Sequence, residues 1–253
     1  MQLAKGMARL AHVDDPQQLR FWTEYLDRGQ DARVDRVAES RAAMLHVSLW
    51  GQGGASLKME GAEAKLKVNP SALEDLKQLA ALRLEQTRTL GGGSVPDAAR
   101  TLALHGHYTR DEILTGLGYW TLNRRPDVRQ GVIHLPEPKL DVFFVTLHKT
   151  EESYSPTTMY DDYVISDRLF HWQSQSTTSD TSPTGKRYVG HREMGYTPLL
   201  FVRDHRKQPG GIAAPYVFLG PADYVSHTGS RPMSITWRLR SPMPVRLVHE
   251  ARG

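Results

Sequence analysis

The 253-residue chain contains no cysteine. That excludes disulfides and thiolate zinc sites, and it fits a reducing cytoplasm. No apolar run approaches the roughly 18 residues that a membrane span requires, so no membrane partner is expected. The opening residues, MQLAKGMARLAHVDD, hold no continuous apolar stretch of the kind a signal peptide needs. Internal repeats and low-complexity segments are absent as well. The 39% hydrophobic and 24% charged fractions are those of an ordinary globular protein able to bury a core.

Catalytic motifs are also lacking. Gly185-Lys186 has no upstream glycine at the spacing of a phosphate loop, and Arg187 follows where Ser or Thr is needed. Neither HExxH nor GxSxG occurs. His105 and His107 form a pair, but no further ligand lies at metal spacing, and zinc takes about four donors. A structural role is expected for that pair. The chain therefore reads as a binding module, with no catalytic residue, metal or cofactor expected.

What is present is charge asymmetry and pattern. The formal net charge is +4, and Thr181 to Gly253 holds 11 Lys+Arg against 4 Asp+Glu. A basic C-terminal third is a plausible footprint for a polyanion. Residues 16–50 read as helical through Leu19, Trp22, Leu26, Val34, Val37, Met44 and Leu45. Asn69-Pro70-Ser71 predicts a capped helix start over 69–90, with Leu73, Leu76, Leu79, Leu82 and Leu84 as its apolar stripe. Thr109-Arg110-Asp111-Glu112 reads as a capping box before Ile113, Leu114 and Leu117. Beyond residue 130 short β-rich runs take over: 131–135, 140–149, 169–175, 197–203, 215–219, 223–227 and 234–240. The expected class is α+β: a helical connector or interaction region over 1–95, a small helical subdomain over 96–125, and a β-rich, partly closed barrel over 126–253.

The densest polar-aromatic stretch is 150–188. Tyr160, Asp161, Asp162 and Tyr163 set aromatic rings beside two carboxylates. In Phe170-His171-Trp172-Gln173-Ser174-Gln175, strand alternation sends Phe170, Trp172 and Ser174 one way, and His171, Gln173 and Gln175 the other. A pocket for a flipped base needs rings to replace stacking, and polar groups for the Watson–Crick edge. A carboxylate suits the cytosine amino group. Core packing for Phe170 and Trp172, and a capping role for the Asp pair, account for the same residues equally well.

The segments running from TLHKTEESYSPTTMYDDY to RYVGH, then LLFVRDHRK, then APYVFLGPADYVSHTGSRPMSITWRL, resemble a C-terminal domain-of-unknown-function family. The resemblance covers roughly residues 98–246 and includes LHGHYTRDEILTGLGY. That family is found fused to phospholipase-D-type nucleases and superfamily-2 helicases. It implies modification-dependent (type IV) restriction, part of phage defence, and a relative of the SET- and RING-associated, PUA-like fold that flips 5-methylcytosine or 5-hydroxymethylcytosine from duplex DNA. The chain would be the C-terminal portion of a larger protein. Its partners would be double-stranded DNA carrying modified bases and the parent's nuclease and helicase domains, with a homodimer possible through the helices.

On that resemblance, Tyr160, Tyr163 and Trp172 are expected as stacking walls, and Asp161 or Asp162 as acceptor. His171, Gln173 and Gln175 would supply further polar contacts. A strand cannot aim both Trp172 and Gln173 into one pocket without a bulge. Thr177, Thr178, Ser182, Thr184, Lys186 and Arg187 read as a polar loop for phosphates. His227, Ser230 and Arg231 sit in a second turn around Gly229, and Arg203, Arg206 and Lys207 form a third basic group. The competing expectation is a protein-docking, dimerising or autoinhibitory domain that binds DNA without specificity.

Overall fold

The computed structural model describes residues 2–87, 92–128, 130–148, 162–208 and 211–250. Among them no helix is long and apolar enough to cross a membrane. The chain forms two compact units, Met1–Leu90 with Asp97–Val128, and Gly91–Pro96 with Arg129–Gly253. The α+β class expected from the sequence is observed. Of the segment 96–125, expected as a small helical subdomain, residues 97–125 fall in the helical unit.

That unit holds α1 (Gln2–Ala8), α2 (Pro16–Arg28), α3 (Arg36–Trp50), α4 (Met59–Lys67), α5 (Pro70–Gln86), a two-residue strand β1 (His107–Tyr108) and α6 (Arg110–Gly116). The stretch 16–50, expected to be helical, forms the two helices α2 and α3. Gly29 adopts φ 62 and ends α2, and the Asp35 side chain accepts from the Ala38 N–H to start α3. Residues Ala42 to Trp50 of α3 are all buried, so this helix is the centre of the unit. Leu19, Trp22 and Leu26 of α2 join Leu45, Leu49 and Trp50 of α3 in one core with Leu76 and Ala80 of α5. The stripe of α5 is largely the expected one: Leu76 is buried and Leu73, Leu79 and Leu84 pack against the core, but Leu82 is exposed and Ala80 is buried instead. Asn69 makes no cap with its side chain. Its amide donates instead to the Lys65 carbonyl at 2.9 Å, closing α4.

Polar groups buried in this core are chained together, as a low-dielectric interior demands. The Trp50 indole donates to His46 Nδ1 at 3.0 Å, His46 Nε2 meets the Tyr25 hydroxyl at 2.7 Å, and that hydroxyl donates to Glu63 at 2.8 Å. Burial and the Arg33 charge push the His46 pKa down to about 3, so the imidazole is neutral. The capping box of α6 is present as expected, and it has a second function. Its Glu112 is fully buried and accepts from His12 at 2.9 Å and from the Ser48 hydroxyl at 2.9 Å. This is why α6 packs on α3.

The second unit contains β2 (Val132–Leu135), β3 (Leu140–Thr146), β4 (Tyr163–Val164), β5 (Leu169–Gln173), β6 (Thr197–Arg203), β7 (Tyr216–Thr228) and β8 (Ser234–Leu239), with helices α7 (Pro183–Val189) and α8 (Val245–Glu250). The strand order is β2-β3-β6-β7-β8-β5-β4. Only β3 and β6 run parallel; the other neighbours on this path are antiparallel. The path is open, since the end strands β2 and β4 are not paired with each other among the described residues.

The two runs expected at 215–219 and 223–227 are one strand. Gly220-Pro221 reads as punctuation, but Gly220 at φ 88 turns the strand without ending it. The first half of β7 pairs with β6, and the second half pairs with β8. Pro221 lacks an N–H, yet its carbonyl still accepts from Arg240 N at 3.0 Å. Both ladders feed one core: Phe143 and Val145 from β3, Leu200 and Val202 from β6, Phe170 and Trp172 from β5, and Ile235 and Trp237 from β8.

Two outcomes are expected. Gly220→Ala should lower urea stability by about 1–2 kcal/mol, because a Cβ disfavours positive φ. Gly92→Ala, facing open space, should change it little. Burial would depress the His12 imidazole, but Glu112 outweighs it and holds the pKa above the ordinary 6.5. Burial would likewise raise Glu112, but His12, the Thr109 N–H and Ser48 hold it below the ordinary 4.5. His12 then contributes stability below pH 6.5 that is lost as pH rises through its raised value. Thermal melts of the wild type should show this alkaline loss, and melts of His12→Gln should not.

Candidate nucleic-acid interface

The ladder β4-β5-β8-β7 has one face in the core and one turned outward. Strand β5 alternates as its sequence implies: Phe170 and Trp172 are buried, and Leu169, His171 and Gln173 are partly exposed. Its ladder with β8 is regular, with no bulge to bring opposite faces together. Trp172 therefore does not share a face with His171 and Gln173. Its ring lies edge-on to Phe143 at 4.8 Å and to Tyr188 at 5.6 Å, as part of the core.

Cross-strand partners share a face. Tyr163, His171, Thr236 and Ser226 form one row across β4, β5, β8 and β7. Gln173, Ser234 and Thr228 form the next, and Leu169, Arg238 and Asp223 the third. The outcome is a sheet face of hydroxyls, an amide, an imidazole and an exposed guanidinium. Tyr163 and His171 stack upon it, ring centres 4.4 Å apart and 11° from coplanar, with Tyr163 47% exposed. The Asp162 carboxylate pins the edge by accepting from Gln173 N at 2.9 Å. Sequence reading missed Ser234, Thr236 and Arg238. The signal was there, because SITWRL alternates polar residues with Ile235, Trp237 and Leu239.

A second group gathers where the segment 177–182 meets the turn after β7. Arg231 N donates to the Thr178 carbonyl at 3.1 Å, and the Ser230 hydroxyl donates to Asp180 at 3.2 Å. The structure thus joins two stretches that the sequence presented separately. Thr177, Gln175, Ser230 and Arg231 are exposed, while Thr178 is buried. His227 lies on the opposite face from Ser226, paired with Ile235, and its Nδ1 meets the Tyr224 hydroxyl at 2.6 Å.

The expected polar loop over 177–187 is only half loop. Ser182 caps α7 by accepting from Gly185 N, with Pro183 in the first turn. Ser-Pro is a helix-start signature that the sequence displayed plainly. Thr184 is partly exposed on this helix and Lys186 is exposed. Arg187 is not available to phosphate. Its Nε donates to both oxygens of the fully buried Asp141, at 2.8 and 3.1 Å. His134 shares that carboxylate at 3.2 Å. Arg203 is similarly engaged, donating to Thr146 Oγ1 at 3.0 Å and lying over the Tyr216 ring at 4.4 Å. Arg206 and Lys207 are exposed. Tyr160 and Asp161 lie outside the described residues.

The rim next to the polar face is electrostatically ordered. Burial would raise the Asp223 carboxyl, but hydrogen bonds from Arg192 and Arg240 hold it below the ordinary range. The buried His191 imidazole faces Tyr196 O through Nδ1 and takes the Tyr224 N–H on Nε2. Burial lowers its pKa, which matches a neutral ring and leaves the distant Asp223 as no true ion-pair partner. The pair His107 and Asp14, in contact at 2.7 Å, accounts for His107 structurally.

The Asp141–Arg187 pair is accordingly a stability element. Asp141→Asn should cost about 3 kcal/mol in denaturant melts, the low end for a broken buried pair. Arg187→Ala should likewise lower the melting temperature.

The profile of a family described as "Domain of unknown function (DUF3427)" matches residues 102–251. No curated protein matches the chain.

Proposed function

The chain belongs to the DUF3427 family, and from that premise we propose that it is the DNA-binding specificity module of a modification-dependent restriction enzyme, reading 5-methylcytosine or 5-hydroxymethylcytosine in duplex DNA by base flipping. One observation carries the DNA-binding part of this reading. Tyr163 and His171 stack on an outward sheet face beside Gln173, Thr236 and Arg238. Stacking rings, hydrogen-bonding side chains and a flanking cation are what an extruded base and its backbone require.

The sharing of β7 between two ladders that contribute to one core supports reading the unit as a partly closed barrel of the SET- and RING-associated type. Tyr160 and Asp161 keep their proposed roles as wall and amino-group acceptor, and Asp162 is the alternative acceptor. Trp172 acts from behind the face, as packing that holds β5 flat. Gln175, Thr177, Ser230 and Arg231 form the proposed backbone contacts, with Lys186, Arg206 and Lys207 as outlying cations. Cleavage and translocation are assigned to nuclease and helicase domains elsewhere in the parent protein.

The test is fluorescence anisotropy of the chain on matched duplexes carrying cytosine, 5-methylcytosine or 5-hydroxymethylcytosine at one site. Tighter binding to a modified duplex is expected. His171→Ala or Tyr163→Ala should remove about 1–3 kcal/mol, the range for one stacked base. Arg238→Ala should weaken all three duplexes alike and reduce the salt slope by about one counterion. Equal affinity for the three duplexes, unmoved by these variants, would leave a protein-docking domain as the better account.

A further inference from the structure

Strands β3 and β6 run parallel and end together, Thr146 beside Arg203. The ladder continues past both ends. Leu147 N donates to Arg203 O at 3.0 Å, and His148 N donates to Asp204 O at 2.9 Å. Two chain segments 56 residues apart are thereby locked side by side. In open sheets the carboxyl ends of adjacent parallel strands are where ligands collect, because both exit loops point the same way.

Three ligand-bearing side chains converge there. His148 Nδ1 lies 2.5 Å from one oxygen of Asp204, and His205 Nδ1 lies 2.6 Å from the other. The two imidazoles stack at 5.0 Å, 17° from coplanar. One ligand atom from each residue falls within 4.8 Å of the other two. Side-chain exposures of 45%, 39% and 54% leave the cluster open to solvent.

We propose that His148, Asp204 and His205 form a mononuclear site for a divalent transition-metal ion of the zinc type. Both imidazoles turn the same nitrogen toward one carboxylate, and the backbone ladder holds two of the three residues in place before any ion arrives. Two neutral imidazoles and one carboxylate suit zinc, copper or nickel. They do not suit magnesium or calcium, which take oxygen ligands. Metal–ligand distances of about 2.0–2.2 Å would set the donor atoms about 3.3 Å apart. The gaps of 2.5 and 2.6 Å would open by under about 1 Å, and the widest separation, at most 4.8 Å, would close by up to about 1.5 Å, movements open to exposed side chains. Three protein ligands leave coordination positions open, which water would fill. The proposal does not depend on DNA reading, since none of these residues lies on the polar sheet face.

The test is calorimetric titration of the untagged chain with zinc alone, followed by cobalt as a spectroscopic reporter of ligand field. One zinc per chain is expected, with no uptake of magnesium. Loss of an outer-shell partner typically costs 10–100-fold in metal affinity, so His148→Ala, His205→Ala and Asp204→Asn should each weaken zinc binding at least about tenfold. His249→Ala, an exposed histidine elsewhere, should leave it unchanged. Melting temperatures near the wild-type value would show that each variant folds. The proposal is overturned if zinc binds at other than one per chain, or if the double variant His148→Ala/His205→Ala binds it as tightly as the wild type. A cobalt spectrum unaltered by His205→Ala would overturn it too.

Discussion

The β unit depends on a single strand that belongs to two ladders. Backbone hydrogen bonding is obligatory for buried strands, and β7 satisfies it by pairing first with β6 and then with β8. Gly220, at positive φ, sits at the irregular step of the β6 ladder, just before the pairing with β8 begins at Ala222. The β3-β6 ladder and the β5-β8 ladder present Phe143, Leu200, Trp172 and Trp237 to a common core. The outer face of β5-β8 is left for polar residues.

The two ladders that share β7 carry different chemistries. At the carboxyl ends of β3 and β6, histidines and a carboxylate are brought together by parallel pairing. On β4, β5, β8 and β7, antiparallel pairing lines up hydroxyls, an amide and stacked rings in rows. Arg187 and Arg203, both partly buried, are consumed by Asp141 and by Thr146 with Tyr216. A buried charge left unpaired is costly, so these guanidiniums serve the fold. Arg238, Arg231 and Lys186, by contrast, are exposed.

Much of the fold was legible where the signal is local. The capping box at Thr109, the first-turn Pro70, the alternation of β5 and the existence of six strands all rest on spacings of two to four residues. Misreadings came where one local signal has two outcomes. Gly220-Pro221 resembles a strand end but lies inside one strand, and Asn69 resembles a cap but donates to the preceding helix. Leu82 fits the leucine-rich stripe but is exposed, because α5 meets its core along Leu73, Leu76, Leu79, Ala80 and Leu84. The start of α7 at Ser182-Pro183 was legible and went unread.

The sequence by itself determined the α+β class, the switch from helical to strand periodicity near residue 130, and the family to which residues 102–251 belong. It also determined which residues of β5 share a face, because a strand's period is fixed at two. Only the tertiary structure decided which cations are spent on buried partners. It also decided which rows cross from strand to strand, and that His148 stands beside Asp204 and His205. Those are pairings between distant segments, set by ladder register and core packing, and no local spacing encodes them.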